Sequence, residues 1–257
     1  MKTIAASGRI LQCYQTGDRP VLVLCADGNH YICKFKQPGL PANKLVNELI
    51  GSVFAKCWGI TTPAIALIGN DPIIWEKMGI SHDLSAPLLG SRKMDNVIDL
   101  SEINCSQVPV SRSTLSQLLR IALFDLWITN EDRTCNNYNL LYDLRQNNIV
   151  SIDYGGVFNS GTMDRPLYQL NESDSIISSD LFDRLKFSGL EKECSSMRLQ
   201  FLVTVHKCSL IVPSIIDSIP EEWNINKSLV IDKIKELFNT YWVAATWDNF
   251  REITRKK

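Results

Sequence analysis

The apolar residues of this chain first change their period near Asn43, and that change constrains the fold more than any single motif. Over the first 35 residues the pattern is that of strands: Arg9-Ile10-Leu11-Gln12-Cys13-Tyr14, then Val21-Leu22-Val23-Leu24-Cys25, then Tyr31-Ile32-Cys33-Lys34-Phe35. Thr16-Gly17-Asp18-Arg19-Pro20 and Asp27-Gly28-Asn29 separate them, and Asp-Gly-Asn between two β-rich runs is a hairpin signal. Alternation puts Ile32 and Lys34 on one face of the third run and Tyr31, Cys33 and Phe35 on the other. Gln37-Pro38-Gly39-Leu40-Pro41 then breaks the chain. From about Asn43, Leu45, Val46, Leu49, Ile50, Val53 and Cys57 recur at helical spacing, which predicts an amphipathic helix to about Trp58, ended by Gly59.

Strand character returns in Ala64-Ile65-Ala66-Leu67-Ile68 and in Ile73-Ile74-Trp75. Leu88-Leu89-Gly90-Ser91 is short, apolar and glycine-broken, which suits a connector between an N-terminal unit of residues 1–90 and a C-terminal unit of residues 91–257. Ser113 to Thr129 reads as a helix with Leu115, Leu118, Leu119, Ala122, Leu126 and Trp127 inward, capped by Ser113 or Thr114. A polar loop follows, then a hairpin of Leu140-Leu141-Tyr142 and Ile149-Val150-Ser151-Ile152. Beyond Ser178 the pattern is helical, clearest near 195–208 and 227–253. Strands and one helix followed by mostly helices make an α+β protein.

Composition narrows the function. The net charge of -1 offers no basic surplus for attachment to nucleic acid. No apolar run approaches bilayer length, and the start of the chain lacks a signal-peptide core, so a cytoplasmic location without membrane contact is expected. The eight cysteines include no Cys-x-x-Cys and do not cluster with His30, His82 or His206, so free thiols are expected rather than disulfides or zinc. The six tryptophans are read as packing residues.

The chemistry concentrates after the helix that ends near Thr129. Asp132 is followed five residues later by Asn137 in a loop too polar for a core, and Asp153 stands at the end of the hairpin in Ile152-Asp153-Tyr154-Gly155-Gly156. The hairpin can bring all three to one edge. Phosphoryl transfer from ATP needs positioning and charge neutralisation more than covalent help. Magnesium takes hard oxygen ligands, which Asn137 and Asp153 supply, while Asp132 is placed to receive the acceptor's proton. Upstream, Lys34 on the third strand and Glu48 on the following helix match the lysine–glutamate pair that holds the α- and β-phosphates. Lys36 shares the face of Lys34, but Lys34 ends the regular strand and is preferred. Asn139 and Arg133 are read as loop support.

Asp132-Arg133-Thr134-Cys135-Asn136-Asn137 together with Ile152-Asp153-Tyr154-Gly155 resembles the catalytic and metal-binding loops of the HipA-like kinases. It is also similar to the Asp-Arg-His-x-x-Asn and Asp-Phe-Gly pair of phosphoinositide kinases. Asn47-Glu48-Leu49-Ile50 with Trp58-Gly59-Ile60-Thr61-Thr62-Pro63, and Pro220-Glu221-Glu222-Trp223, resemble the same family's short branch. The resemblance spans roughly residues 9 to 250. It implies a two-lobed, protein-kinase-like α+β fold, with a small β-rich lobe holding one main helix and a larger, mainly helical lobe. It implies ATP and magnesium as cofactors and a serine or threonine of a protein as acceptor. Leu89, Gly90 and Ser91 resemble the hinge that contacts adenine. No Gly-x-Gly-x-x-Gly occurs, so phosphate coverage falls to Thr16 and Gly17, and Tyr154 stands where phenylalanine is usual. A small antitoxin-like partner is implied by the resemblance alone. A lipid or small-molecule kinase and a catalytically silent nucleotide-binding module are the alternative readings.

Overall fold

The computed structural model describes residues 2–15, 17–37, 42–69, 86–101, 105–161, 163–186 and 189–257. The expected break at Pro38–Pro41 and the expected strand Ile73–Trp75 lie outside them. Strands β1 (Thr3–Cys13), β2 (Val21–Cys25), β3 (His30–Lys34), β4 (Ile65–Gly69) and β5 (Leu88–Arg92) close into a barrel in the order β1-β2-β3-β5-β4. The closing pair is parallel and sets Thr3, Ile4 and Ala5 beside Leu67, Ile68 and Gly69. Alternation visible from Arg9 onward understates β1, whose first residues make that pair. Its register with β2 shifts between Ala6 and Arg9 and again between Ile10 and Gln12; such irregularities bend a strand, as closure requires. Gly28, at φ +75°, makes the β2–β3 turn.

Val21, Val23, Cys25, Tyr31, Cys33, Ala66, Ile68 and Leu88 fill the barrel. Because side chains alternate along a strand, Ile32 and Lys34 are left facing outward from it. The expected connector at Leu88–Ser91 is instead β5, hydrogen-bonded between β3 and β4. A Cβ on Gly90 would lie 2.8 Å from Ile68 Cγ1 and 3.1 Å from Tyr31 Cβ. Glycine here answers a crowded barrel interior, not a flexible joint, and the chain leaves the barrel only after Arg92.

Helix α1 (Asn43–Cys57) buries Leu45, Val46, Leu49, Ile50, Phe54 and Ala55. Helix α2 (Arg112–Ile128) is capped by Ser111, slightly ahead of the expected Ser113 or Thr114: Ser111 accepts from the Thr114 amide, and the Thr114 side chain accepts from the Ser111 amide. Strands β6 (Val97–Leu100), β7 (Leu140–Asp143) and β8 (Asn148–Ser151) form a separate antiparallel sheet in that order. A single turn α3 (Val157–Ser160) and the short α4 (Asp180–Leu185) lead to the long α5 (Leu190–Asp217). The segment 227–253, read as one helix, is two: α6 (Lys227–Leu237) and α7 (Thr240–Arg255). Asn239 separates them, with an extended backbone and a side chain that caps the Tyr241 amide.

By length and composition α5 would suffice to cross a membrane, with a mean hydropathy of 1.6 over its most apolar 18 residues. That corrects the expectation that no apolar run is long enough. One side of α5, with Cys194, Phe201, Val205, Cys208 and Ile215, belongs to the main core. Trp58 joins three helices there, its ring centroid 5.3 Å from Phe124, 5.4 Å from Trp127 and 5.6 Å from Phe201. This locks α1, which carries Glu48, against α2, whose end launches the Asp132 loop. All eight cysteines are free thiols.

Candidate active site

Three elements meet at Lys34. It lies on the outward face of β3, and its Nζ donates to Glu48 Oε2 of α1 at 2.8 Å and to Asp153 Oδ1, beyond β8, at 2.7 Å. Burial disfavours the ammonium, but the carboxylates of Glu48 and Asp153 outweigh it and hold the Lys34 pKa above its ordinary value. The same contest resolves the other way for Asp153: burial is overcome by Lys34, and its pKa falls below the usual carboxylate value. Glu48 is raised by burial, with Lys34 opposing. The Tyr154 amide also donates to Glu48 Oε2, at 3.0 Å, and the Gly155 amide to Asp153 Oδ1, at 3.2 Å. Asp153 has φ +55°, a left-handed conformation that a side chain occupies only when its surroundings enforce it. Asn47 helps enforce it from α1, donating to the carbonyls of Gly155 and Val157 at 3.2 and 3.1 Å.

The second part of the site hangs from the end of α2. Thr129 turns left-handed, at φ +55°, and ends the helix. Asp125, one turn earlier, accepts from Asn130 Nδ2 and pairs with the fully buried Arg133. Arg133 Nη2 donates to the Ile152 carbonyl at 2.7 Å, and the guanidinium lies 5.2 Å from the Tyr154 ring centroid. One side chain thus ties the Asp132 loop to the Asp153 loop. Asp132 itself is held by two amides: Asn137 Nδ2 donates to its Oδ1 at 3.0 Å and Asn139 Nδ2 to its Oδ2 at 3.1 Å. Both amides also reach its carbonyl oxygen. Gly156 packs on the other side, where a Cβ would fall 2.6 Å from Asp132 Cβ.

Between these parts and the barrel is a cavity of about 300 Å³. Ile32, Ile65, Leu89, Val97, Leu141 and Ile152 give it apolar walls, and Lys34, Glu48 and Asp153 stand at its charged side. Ser91 also lines it, followed by Arg92, Lys93 and Met94 where the chain leaves β5. Gly90 does not, because its position on β5 points into the barrel. Gly17 lines a neighbouring cavity of about 440 Å³ on the far side of Lys34, together with Asp18, Lys36 and Lys44. Thr16 lies outside the described residues. Lys36 falls beyond the end of β3 and lines only the neighbouring cavity, whereas Lys34 lines both.

Among the described residues no group of three or more His, Cys, Asp or Glu is arranged to hold a metal ion. Asp153 and Asn137 fit a different kind of site. They offer a carboxylate and, with Asn137 Nδ2 committed to Asp132, an amide oxygen. Two hard oxygens suit magnesium, which takes its remaining ligands from phosphates and water. Neighbours that motif spacing did not reveal are Asp18, whose carboxylate lies 3.8 Å from Lys34 and 2.7 Å from Lys44 Nζ, and Asp125. Asp125 sits inside an apolar helical run, and a lone acid in such a run was the available signal. Asp18 carried none.

A profile of the HipA-like kinases matches residues 8–250. The chain belongs to the HipA-like kinase family. The crystal structure of a Helicobacter pylori proinflammatory kinase, CtkA, superposes with a TM-score of 0.54 at 13% identity, covering 100% of this chain and 97% of that one. At that identity the likeness speaks for a kinase-like fold. The FAT and kinase domain of CtTel1 aligns with 94% of this chain and 22% of its own, at 13% identity and a TM-score of 0.34. No curated protein matches the sequence. As a HipA-like kinase the chain is an α+β protein with a β-rich N-terminal region.

Proposed function

We propose that this HipA-like kinase transfers the γ-phosphoryl group of ATP, with magnesium, to a serine or threonine hydroxyl of a protein. The observation that carries the reading is Lys34 clamped between Glu48 and Asp153 at the charged side of an apolar-walled cavity. Adenine suits the apolar walls, with Leu89, Ser91 and the turn to Met94 along one edge. Lys34 is the cation for the phosphates, since its raised pKa keeps it charged at any physiological pH. Asn137 and Asp153 would hold magnesium, which when bound neutralises phosphate charge. Asp132, oriented by Asn137 and Asn139, accepts the proton of the attacking hydroxyl. In this reading residues 1–90 form the nucleotide-binding lobe and 91–257 the catalytic, mainly helical lobe, in cytoplasmic surroundings.

The test is transfer of labelled γ-phosphate from ATP to proteins of a cell lysate and to a bulk protein acceptor such as casein. Asp132→Ala is expected to abolish transfer while nucleotide binding, read by thermal shift, persists. Asp153→Ala is expected to abolish transfer and the magnesium dependence of that thermal shift. Equal labelling by the unmodified and Asp153→Ala proteins would sink the metal assignment, and labelling of lipid in place of protein would redirect the acceptor.

A further inference from the structure

Large apolar side chains that stand in water are concentrated on one element. Of ten such exposed side chains among the described residues, four lie on α5: Leu199, Leu202, Val203 and Leu210. Leu199 is 74% exposed and Leu210 67%. They follow a seam. Lys192, Ser196, Leu199, Val203, His206, Leu210, Pro213 and Asp217 are all exposed and alternate steps of four and three residues along the helix, the spacing of a coiled-coil face. At 1.5 Å per residue the seam is about 37 Å long. The opposite side of α5 is already in the core, so this face is free for a partner.

We propose that this seam is a homodimer interface, with α5 of two copies packed antiparallel about a two-fold axis level with Thr204 and Val205. A two-fold contact requires one patch to be complementary to itself. In this register Leu199 meets Leu210 of the second copy, Val203 meets its His206, and Lys192 meets its Asp217. Leu199, Val203 and Leu210 then each face an apolar side chain or the His206 ring, and the carboxylate and ammonium of the seam, Asp217 and Lys192 at opposite ends, pair across the axis. Sliding by one heptad either way sets Lys192 against Leu210 or Leu199 against Asp217, leaving a charge on a leucine. Ser195, Ser209 and Ser214 flank the seam with small side chains that permit close approach. Pro213, inside the helix near its end, meets Ser196 of the second copy in this register, so no large apolar layer has to be packed there. A bilayer surface is the weaker occupant: Glu191 and Asp217 stand at the two ends of the face, and no aromatic side chain of α5 is exposed.

Light scattering on the full chain at about 50 µM decides it. The expected mass is twice the 29.1 kDa of the chain, and Leu199→Glu with Leu210→Glu is expected to return it to one chain without loss of helical circular dichroism. Lys192→Asp alone is expected to weaken association about tenfold, through two symmetric pairs; adding Asp217→Lys restores it. A single-chain mass for the unmodified protein overturns the proposal, as does a dimer untouched by the leucine substitutions. Single chains that co-sediment with phosphatidylserine vesicles in a Leu199-dependent manner also overturn it, in favour of a membrane surface.

Discussion

Replacing Arg133 by methionine asks whether one buried cation holds the two loops of the site together. Arg133 and Asp125 are both withdrawn from water, and the guanidinium also bonds the Ile152 carbonyl and covers Tyr154. Removing one partner of such a pair leaves an uncompensated buried charge, at a cost of about 3–5 kcal/mol. In a protein of this size each kcal/mol moves Tm by roughly 2–4 °C, so R133M is expected to melt roughly 6–20 °C lower. Adding D125L is expected to recover most of that, since exchanging a buried pair for apolar residues is often neutral. Here Asp125 Oδ2 and Arg133 Nε already lack hydrogen-bond partners, which lowers the worth of the pair. Asn130 loses its acceptor in the double variant, so recovery stays incomplete. pH supplies a second reading. Burial raises the Asp125 pKa while Arg133 opposes the rise; without Arg133 the rise is larger. Folded R133M then keeps a proton that the unfolded chain releases near its ordinary pKa of about 3.9. Its stability relative to the unmodified protein therefore improves as pH falls from the folded-state pKa toward the unfolded value, and worsens as pH rises. Urea unfolding of the three proteins at about pH 5 and about pH 8 measures both effects. An R133M protein within about 1 kcal/mol of the unmodified one at the higher pH, or a double variant no more stable than the single, refutes the reasoning.

K34M is expected to lower phosphoryl transfer by about a hundredfold or more and also to destabilise the fold, because it leaves the Glu48 and Asp153 carboxylates facing each other. E48Q in the K34M background is expected to restore stability but not transfer, and restored transfer would remove Lys34 from the chemistry. G156A forces a Cβ to within 2.6 Å of Asp132 Cβ; kcat is expected to fall with little change in the KM for ATP, and normal kcat would show that the Asp132 position is not critical. Burial, with Asp27 adding to it, pushes the Cys25 thiol up to about 11. Little of it is thiolate at neutral pH, so mass spectrometry after iodoacetamide is expected to find Cys25 unmodified in the native protein and modified after denaturation.

How far the site could be read from sequence differs residue by residue. Lys34 was separable from Tyr31 and Cys33 because strand alternation is a local property, and the barrel core takes the residues that alternation assigns to it. Helical spacing placed Glu48 on a helix, and the recurrent lysine–glutamate pair of kinases singled it out. Leu88–Ser91 is part of a strand and not a connector because Gly90 answers Ile68 and Tyr31, which arrive from other strands, and does not break the run. Helices α6 and α7 merged in the reading because Asn239 fits a helix surface as well as a cap, and only the direction of the following helix distinguishes them. Val97–Leu100 went unread as β6 because four residues carry no period and its partner β7 lies forty residues on.

The sequence alone determined which residue types stand on which elements, since strand and helix periods, turn residues and the two polar loops are encoded over a few neighbours. It placed Lys34 on a strand, Glu48 on a helix and Asp132, Asn137 and Asp153 in polar loops, where the resemblance to HipA-like kinases singled them out. Tertiary structure decided how they meet. The bond from Lys34 to Asp153 spans 119 residues of chain, and the Arg133 tie between the loops depends on Asp125 being buried beside it. The partners of a buried charge are set by which elements pack around it, and packing is a property of the whole fold that no local window of sequence contains.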